Sequence, residues 1–499
     1  MTYDWGLIVA NLFDPSTLLM MLVGCIGGII VGAIPGLGGS TGIILLLPLI
    51  YNLEMVPALV VMAGMFCGTM YSGALPAILI QTPGTPSAAM TSLDGYPMAQ
   101  AGKAGKAITV ALVSSVLGGL ASGFCLMFIS PLLARFALQF QAPEYFALAL
   151  FGLTLIADAS SNFIKGMITG FLGLLMGCVG VDVITGTSRF TFGSTMLLGG
   201  IEILPLLVGL FAMSHVMTEV TNRAPVIKQD KDYGSFMLTA EEWKLILMPM
   251  VVATVVGFVV GIAPGAGGAI ACILGYEMSK KVAKHPEMYG KGSIEGLAAA
   301  ECANNATTGG DMIPLITLGV PGDAVTAVML GAFMLIGIKP GPALFQEHGN
   351  EMQTFFLAFI LIQFVILIVG ALGTKLWIKI LDIPKTVLLP LVLMFCFLGA
   401  YSQAGSTRDA LFALGFAVLG YFMKKFDFPA PPMILGLILG PTAEQNLNRM
   451  LMIHDDWTIL FTRPISAVLM AISIFTIVWS MTDNLRKRIK EKKQIGIQA

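Results

Sequence analysis

Two hydrophobic segments of this sequence are each interrupted by a similar run of proline and glycine. Residues 31–42 read VGAIPGLGGSTG, and residues 260–271 read VGIAPGAGGAIA. Proline lacks a backbone donor and clashes with the preceding helical turn, whereas glycine permits left-handed backbone. In lipid, the backbone groups that such a break frees must be buried in protein or face a water-filled cavity. The fold must therefore shelter both breaks.

The composition indicates that lipid surrounds most of the chain. Only 11% of its 499 residues are charged, against roughly 25% in soluble proteins, and the mean hydropathy is +0.85. Apolar stretches of about 20 residues, long enough to cross a bilayer, recur along the sequence. We predict an all-α polytopic membrane protein with broken or re-entrant helices and roughly 11–12 transmembrane segments.

The predicted segments follow from hydropathy and from the breaks. Two broken pairs cover residues 17–51 and 245–283. The other predicted spans lie near residues 57–80, 108–130, 143–157, 163–182, 196–217, 294–318, 324–337, 353–373, 387–402, 408–423, 430–452 and 464–482. If the C-terminal run RKRIKEKK is cytoplasmic, alternation places 22 of the 28 Lys and Arg residues inside. This distribution follows the positive-inside rule.

The two interrupted segments belong to a longer internal repeat. With a shift of 229, residues 28–39 match residues 257–268 at seven of twelve positions. With a shift of 238, LPAILIQTPGT (75–85) aligns with IPLITLGVPGD (313–323). Acidic residues without Lys or Arg precede the first copy, whereas the second follows NRAPVIKQDKDYG. We therefore predict two inverted-topology repeats, which in secondary transporters place the substrate at broken helices near the midplane.

The repeats suggest a division of the chain into three parts. Residues 1–222 would hold the first inverted repeat with flanking helices, and residues 223–385 the core of the second. Residues 386–499 would form C-terminal transmembrane helices and a basic cytoplasmic tail. The first residues have no positive run before their apolar stretch, so we expect no cleaved signal.

Each repeat contains two predicted breaks, and together they form the predicted substrate site. The four breaks are Pro35–Ser40, Thr82–Ser87, Pro264–Gly268 and Gly319–Asp323. Exposed helix N-termini attract anions, while freed carbonyl groups can hold a cation. No Lys or Arg lies in the breaks, so hydroxyl and amide donors and a co-bound cation would have to assist. The predicted substrate-binding residues are Pro35, Gly36, Gly38, Gly39, Ser40, Thr41, Thr82, Pro83, Gly84, Thr85, Ser87, Pro264, Gly265, Gly267, Gly268, Asn304, Asn305, Pro321 and Gly322.

The run ECANNATTGGD (301–311) is the most polar stretch inside any apolar segment. Its carboxylate and hydroxyl oxygens suit a cation better than an acidic substrate. The predicted cation-binding residues are Thr307, Thr308, Asp311 and Asp323. Na⁺ or H⁺ is the expected coupling ion, and we expect no other cofactor, no structural metal and no catalytic residue.

Each of these features also has a purely structural interpretation. Glycines at four-residue spacing, 24, 28, 32 and 36 and again 257, 261 and 265, suit close helix packing. Intramembrane Ser and Thr often bond only to their own helix backbone. Glu301 and His215 are interpreted as buried structural residues. The seven cysteines form no metal-binding pattern and are interpreted as small buried apolar residues.

Four long motifs resemble the large membrane subunit of the tripartite tricarboxylate transporters. They are GAIPGLGGSTGIILLLP, TPGTPSAAMTSLDGYPMAQAGKAGKA, ECANNATTGGDMIPLITLGVPGDAVTAVMLGAF and PPMILGLILGP. The resemblance implies a multi-pass permease of the bacterial inner (cytoplasmic) membrane, with a small membrane subunit and a periplasmic solute-binding protein as partners. It also implies import of a citrate-like di- or tricarboxylate by symport with Na⁺ or H⁺, although substrates in the family sometimes include amino acids or aromatic acids. No nucleic-acid partner is expected.

Two other classes of function stay open at this point. An ATP-driven transporter would need a phosphate loop, and no GxxxxGK[ST] motif is present, although a separate subunit could supply one. An intramembrane enzyme has little support, because no metal signature or paired nucleophile and base is evident. We therefore predict a transporter rather than an enzyme.

Overall fold

A computed structural model describes residues 3–158, 160, 162–182, 186–221, 233–265, 267–380, 385–402 and 407–498. About four-fifths of them are helical. The helices are α1 (Trp5–Leu12), α2 (Pro15–Ala33), α3 (Gly39–Ile50), α4 (Met55–Ser72), α5 (Ala74–Ile80), α6 (Ala89–Gln100), α7 (Ala104–Ala137), α8 (Ala142–Asp158), α9 (Phe163–Gly177), α10 (Ile203–Leu207), α11 (Ser214–Thr221), α12 (Ala240–Ile262), α13 (Gly267–Lys280), α14 (Ile294–Leu318), α15 (Ala324–Leu335), α16 (Pro342–Glu347), α17 (Gly349–Ile380), α18 (Lys385–Ser402), α19 (Thr407–Lys425), α20 (Pro431–His454), α21 (Ile459–Thr462) and α22 (Pro464–Gln498).

Short elements complete this pattern. A two-stranded antiparallel hairpin pairs β1 (Gly180–Val181) with β2 (Ser188–Arg189). A 3₁₀ turn, Pro86–Ala88, precedes α6, and a π-helical stretch, Val208–Met213, joins α10 to α11.

The helices confirm an all-α polytopic membrane protein. Among the described residues, seven helical segments are long and apolar enough to cross a membrane. They are Pro15–Ala33, Met55–Ile80, Ala104–Ala137, Ile203–Val220, Ala240–Ile262, Gly349–Ile380 and Pro464–Thr482. The other predicted spans are largely helical, but α8 and α9 are shorter and α14 is more polar. The span predicted at 163–182 extends too far, because α9 ends at Gly177 and Gly180–Val181 form β1.

The chain divides into two compact units. The first comprises Met1–Ala137 and His215–Ser406, and it contains both repeats. The second comprises Leu138–Ser214 and Thr407–Ala499. The boundary predicted at residues 222–223 lies outside the described residues, and the division into three parts stays a prediction.

Inside the second unit, glycines and ion pairs fix the helices. A methyl group added at Gly173 of α9 would lie 2.0 Å from the carbonyl oxygen of Met433, so α9 and α20 are in backbone contact. Arg189 Nη2 donates to Glu444 Oε2 at 3.0 Å, which ties the hairpin to α20.

In the first unit, the repeat found in the sequence is also a repeat of packing. A methyl group at Gly28 would lie 2.6 Å from the carbonyl oxygen of Met65, where α2 crosses α4. A methyl group at Gly257 would lie 2.3 Å from the carbonyl oxygen of Ala303, where α12 crosses α14. The shift of 229 carries Gly28 to Gly257, and the shift of 238 carries Met65 to Ala303. The packing role predicted for these glycines is confirmed.

The next glycine in each of these series with four-residue spacing (the glycine stripes) repeats this correspondence. Gly32 packs against the backbone of Thr69, and Gly261 packs against the backbone of Thr307, again at equivalent positions. The stripe changes role at Gly36 and Gly265, which lie beyond the helix ends at φ +90° and +86°. An L-residue would be strained in this left-handed backbone, so these two glycines are turn residues rather than packing residues.

The seven cysteines are free, and the structure corrects part of their interpretation. Five are buried, whereas Cys125 and Cys178 are only partly buried. Cys125 lies within α7, and Cys178 directly follows the last residue of α9.

Candidate functional site

All four predicted breaks interrupt helices. The chain leaves helical geometry between α2 and α3, between α5 and the 3₁₀ turn, between α12 and α13, and between α14 and α15. Each break ends one helix and begins another helical segment, whose first backbone N–H groups have no partner within that segment. Four helical N-termini therefore start inside apolar sequence.

Equivalent hydrogen bonds close the second break of each repeat. Gln81 and Gly319 occupy equivalent positions after α5 and α14, and both adopt left-handed backbone. The N–H of Thr82 then donates to the carbonyl of Pro76 at 3.2 Å. In the second repeat, the N–H of Val320 donates to the carbonyl of Pro314, also at 3.2 Å. Two copies of one helix-ending motif thus position the following turns.

The breaks of the two repeats lie against each other. A methyl group at Gly39, the first residue of α3, would lie 3.1 Å from Val325 Cγ1 at the start of α15. A methyl group at Gly268, in the first turn of α13, would lie 3.0 Å from Ser87 Cβ in the 3₁₀ turn. Exchanging the repeats carries Gly39 to Gly268 and Val325 to Ser87. Such a reciprocal contact is what a two-fold relation between the repeats produces.

Two further contacts join these pairs into one cluster. A methyl group at Gly267 would lie 3.1 Å from Asp323 Cβ, which places the N-terminus of α13 beside that of α15. The N–H of Gly265 donates to the carbonyl of Gly322 at 2.8 Å, so the two breaks of the second repeat are directly bonded. The N-termini of α3, α13, α15 and the 3₁₀ turn therefore converge within the first unit. We call this group the helix-end cluster.

The predicted hydroxyl residues occupy different positions around the helix-end cluster. Ser40 and Thr41 are buried in the first turn of α3. The hydroxyls of Thr85 and Ser87 lie 3.1 Å apart and are buried, and Ser87 Oγ also donates to Met70 Sδ at 3.5 Å. Thr82 is exposed, and its hydroxyl bonds only to the carbonyl of Ile80.

The glycines and prolines of the predicted site also differ in exposure. Gly36 is exposed and lies against the imidazole of His215, which was interpreted as a purely structural residue. Because Gly36 has no side chain, its exposed backbone lies directly beside the polar side chain of His215, at the most exposed position of the first break. The more enclosed predicted residues are Gly39, Gly84, Gly265, Gly267, Gly268, Pro321 and Gly322, whereas Pro35, Gly38, Pro83 and Pro264 are half-buried.

The polar run of α14 is completely enclosed. Three of its side chains bond to their own helix: Thr307 Oγ1 donates to the Asn304 carbonyl at 2.6 Å, Thr308 Oγ1 to the Asn305 carbonyl at 2.7 Å, and Asn305 Nδ2 to the Glu301 carbonyl at 3.1 Å. Such bonds satisfy the donors and leave hydroxyl lone pairs available.

Two α14 side chains have acceptor oxygens without a donor among the described residues, namely Asn304 Oδ1 and both carboxylate oxygens of Asp311. Both side chains are fully buried and lie at breaks. A methyl group at Gly268 would lie 3.0 Å from Asn304 Oδ1, and one at Gly322 would lie 2.3 Å from Asp311 Oδ1. Buried acceptors without donors are costly, so these atoms are the best candidates for contact with a bound species.

Asp323 differs from its neighbour Asp311. Its Oδ1 accepts hydrogen bonds from the N–H and the hydroxyl of Thr326, both at 2.7 Å, and thereby caps α15. The Asp323 carboxylate is also near enough to Asp311 to repel a negative charge there.

Two buried carboxylates near the helix-end cluster were not predicted as site residues. Glu301 accepts hydrogen bonds from Thr91 Oγ1 and, at 2.9 Å, from Ser115 Oγ, so it joins α14 to α6 and α7. Its interpretation as a structural acid agrees with these bonds. The only signal in the sequence was an acid within an apolar segment.

Asp94 was overlooked in the sequence and is fully enclosed. Its Oδ1 accepts the N–H groups of Gly290, Gly292 and Ser293 at 2.7–2.9 Å, and Tyr276 donates to Oδ2 at 2.8 Å. With four donors, this carboxylate fastens α6 of the first repeat to the loop before α14. It therefore holds the two repeats together beside the helix-end cluster.

Comparisons with known proteins agree with this architecture. The family model described as "Tripartite tricarboxylate transporter TctA family" matches residues 18–435, a range that includes all four breaks. No solved structure matches the chain significantly.

Two relatives from Agrobacterium vitis also match. One, named "Uncharacterized 52.8 kDa protein in TAR-I ttuC' 3'region", is 35% identical over 476 residues, which is 95% of each chain. Another, named "Uncharacterized protein in TAR-II ttuC' 3'region", is 32% identical over 233 residues, which is 46% of this chain and 96% of the relative. The match to the family model and the first relative each cover most of the sequence, and the chain therefore belongs to the tripartite tricarboxylate transporter TctA family, as a membrane subunit.

Proposed function

We propose that the chain is the large permease subunit of a binding-protein-dependent secondary transporter. It imports an organic di- or tricarboxylate, citrate-like in charge, by symport with Na⁺ or H⁺. The observation that carries the proposal is the convergence of helical N-termini in the helix-end cluster. Backbone N–H groups and the positive ends of helix dipoles are suited to bind carboxylates there.

The energetics of the helix-end cluster favour a co-bound cation. A single helix end stabilises an anion by about 0.3–2 kcal/mol, whereas burying an ion costs several kcal/mol. The four breaks contain no Lys or Arg to supply the difference. A cation that enters with the carboxylate would supply it, and it would also couple import to an ion gradient.

Asp311 is the proposed cation ligand. Its carboxylate has no donor among the described residues, and the carboxylate of Asp323 lies nearby. A buried carboxylate in this setting is stabilised by binding a proton or a metal cation. The hydroxyl lone pairs of Thr307 and Thr308 on the same helix are proposed as further ligands.

The proposed partners and location follow from the family. A periplasmic solute-binding protein would deliver the carboxylate, and a small membrane subunit would complete the complex in the bacterial inner membrane. Lys and Arg residues of the loops predicted as cytoplasmic would set the orientation.

Transport by reconstituted complexes tests the proposal. Proteoliposomes that contain the chain, the small subunit and the binding protein are loaded without nucleotide, and uptake of labelled carboxylates is measured. An inward Na⁺ or pH gradient is expected to drive accumulation, and the two gradients applied separately identify the ion. Accumulation that requires ATP and ignores both gradients would instead establish an ATP-driven transporter.

A further inference from the structure

The side-chain amide of Asn304 has one fixed orientation. Its Nδ2 donates to the carbonyl oxygen of Met70 at 3.1 Å. Because a carbonyl can only accept, the amide nitrogen must face Met70 and the amide oxygen must face the opposite side. That side is the first turn of α13, where a methyl group at Gly268 would lie 3.0 Å from Asn304 Oδ1.

No protein donor reaches Asn304 Oδ1 among the described residues, although the atom is fully buried. Ser87 is the nearest hydroxyl residue on the other side of Gly268, and its hydroxyl contacts Met70 Sδ and Thr85 Oγ1 instead. An unsatisfied acceptor therefore lies directly beside the N-terminus of α13. The equivalent residue of the first repeat is Phe66, which has no polar atom.

The N-terminus of α13 and the neighbouring Asn304 Oδ1 require opposite kinds of hydrogen-bonding partner. The first N–H groups of α13 have no partner within their own helix and suit a carboxylate oxygen, whereas Asn304 Oδ1 repels carboxylate lone pairs and needs a donor. A hydroxyl on the carbon next to a carboxylate offers both groups at adjacent positions. An ammonium group would add a full charge that a neutral amide oxygen does not compensate.

Building on the proposed function, we infer that the transported substrate is an α-hydroxycarboxylate whose hydroxyl donates to Asn304 Oδ1 while its carboxylate lies at the N-terminus of α13. Asn304 is then the residue that determines specificity within the permease. This selection is separate from any selection by a binding protein. A carboxylate that lacks the hydroxyl would leave Asn304 Oδ1 unpaired, and it is therefore expected to bind more weakly.

Equilibrium binding to the purified full-length chain in lipid nanodiscs tests this inference without a partner protein. Calorimetry with malate, succinate and aspartate in NaCl compares hydroxyl, hydrogen and ammonium at one carbon. Malate is expected to bind roughly 10- to 100-fold more tightly than succinate. Asn304→Leu is expected to reduce this ratio to about one, mainly by weakening malate.

The outcomes separate the inference from the function on which it rests. Equal binding of malate and succinate by the native chain overturns the proposed hydroxyl contact but does not contradict the proposed carboxylate transport. Failure to bind any of the three acids counts against both. Tighter binding of aspartate than of malate would mean that Asn304 Oδ1 binds an ammonium group. Loss of Na⁺ binding in Asn304→Leu would mean that Asn304 Oδ1 binds the cation. Either result overturns the inference.

A second variant checks the position without removing the amide. Gly268→Ala places a methyl group beside Asn304 Oδ1, where the substrate hydroxyl is expected, so it is expected to reduce malate binding more than succinate binding. Gly415→Ala adds a methyl group in open space and serves as the folding control. An equal loss for both acids in Gly268→Ala contradicts the proposed position.

Discussion

The two repeats have the same backbone arrangement but opposite chemical character. Equivalent glycines bring α2 onto α4 and α12 onto α14, and equivalent hydrogen bonds end α5 and α14. Yet four polar residues of α14 have apolar or small counterparts in the first repeat. The pairs are Ala63 and Glu301, Phe66 and Asn304, Cys67 and Asn305, and Gly73 and Asp311. The two copies share the geometry of the breaks, whereas at these four positions only the second copy has carboxylates.

This difference shows that the arrangement of helix ends in such a site does not depend on where its charged side chains lie. Both repeats contribute helix N-termini, which any anionic substrate can use. Only the second contributes buried carboxylates at these equivalent positions, so the proposed coupling to a cation would depend on α14 alone. Single substitutions at equivalent positions can test each part of this comparison.

Asp311→Ala, which removes the unpaired carboxylate, is expected to have the largest effect. Loss of one partner from a buried charge pair costs about 3–5 kcal/mol, which corresponds to a loss of roughly 100-fold or more in uptake. Initial uptake rates in proteoliposomes with matched protein content measure it. Gly415→Ala is the control, and a normal rate in Asp311→Ala would remove the carboxylate from the coupling mechanism.

Glu301→Ala gives the second repeat the residue that the first repeat has at position 63. The Thr91 and Ser115 hydroxyls lose their acceptor, and each buried polar group left unpaired costs about 1–3 kcal/mol. The midpoint of thermal unfolding in detergent is expected to fall. An unchanged or higher midpoint would mean that burying the acid costs as much as its hydrogen bonds return.

Gly28→Ala and Gly257→Ala test whether the repeats are equally tight. Each added methyl group would meet a backbone carbonyl oxygen closer than contact distance, and overpacking costs about 1–3 kcal/mol. The two variants are expected to lower the unfolding midpoint by similar amounts. A large effect in only one of them would show that the packing symmetry does not extend to energetics.

The smallest effects are expected for Thr69→Val and Thr307→Val. Thr69 Oγ1 donates to the carbonyl of Phe66 at 2.8 Å, and Thr307 makes the equivalent bond in α14. Each lost bond costs about 0.5–1.5 kcal/mol of stability. Only Thr307→Val is expected to raise the cation concentration for half-maximal uptake. If both variants or neither raise it, Thr307 is not a specific cation ligand.

Local patterns in the sequence were enough to locate the breaks. Proline removes a donor wherever it occurs, and the hydropathy around Pro35 and Pro264 is too high for loops. The predicted segment 294–318 agrees with α14, and the matches at shifts of 229 and 238 identified the pairs of helices that repeat each other's packing. The inverted orientation of the repeats stays a prediction from the charges that flank them.

Long-range contacts decided what the site contains. The sequence by itself determined that helical segments begin within apolar sequence at four breaks, because proline, glycine and hydropathy act locally. Only the tertiary structure showed that Gly39 meets Val325, that Asp94 is satisfied by four donors, and that Asn304 and Asp311 are not satisfied. Hydrogen-bond satisfaction depends on residues some 200 positions away, and no local pattern reports which of several buried polar groups will find a partner.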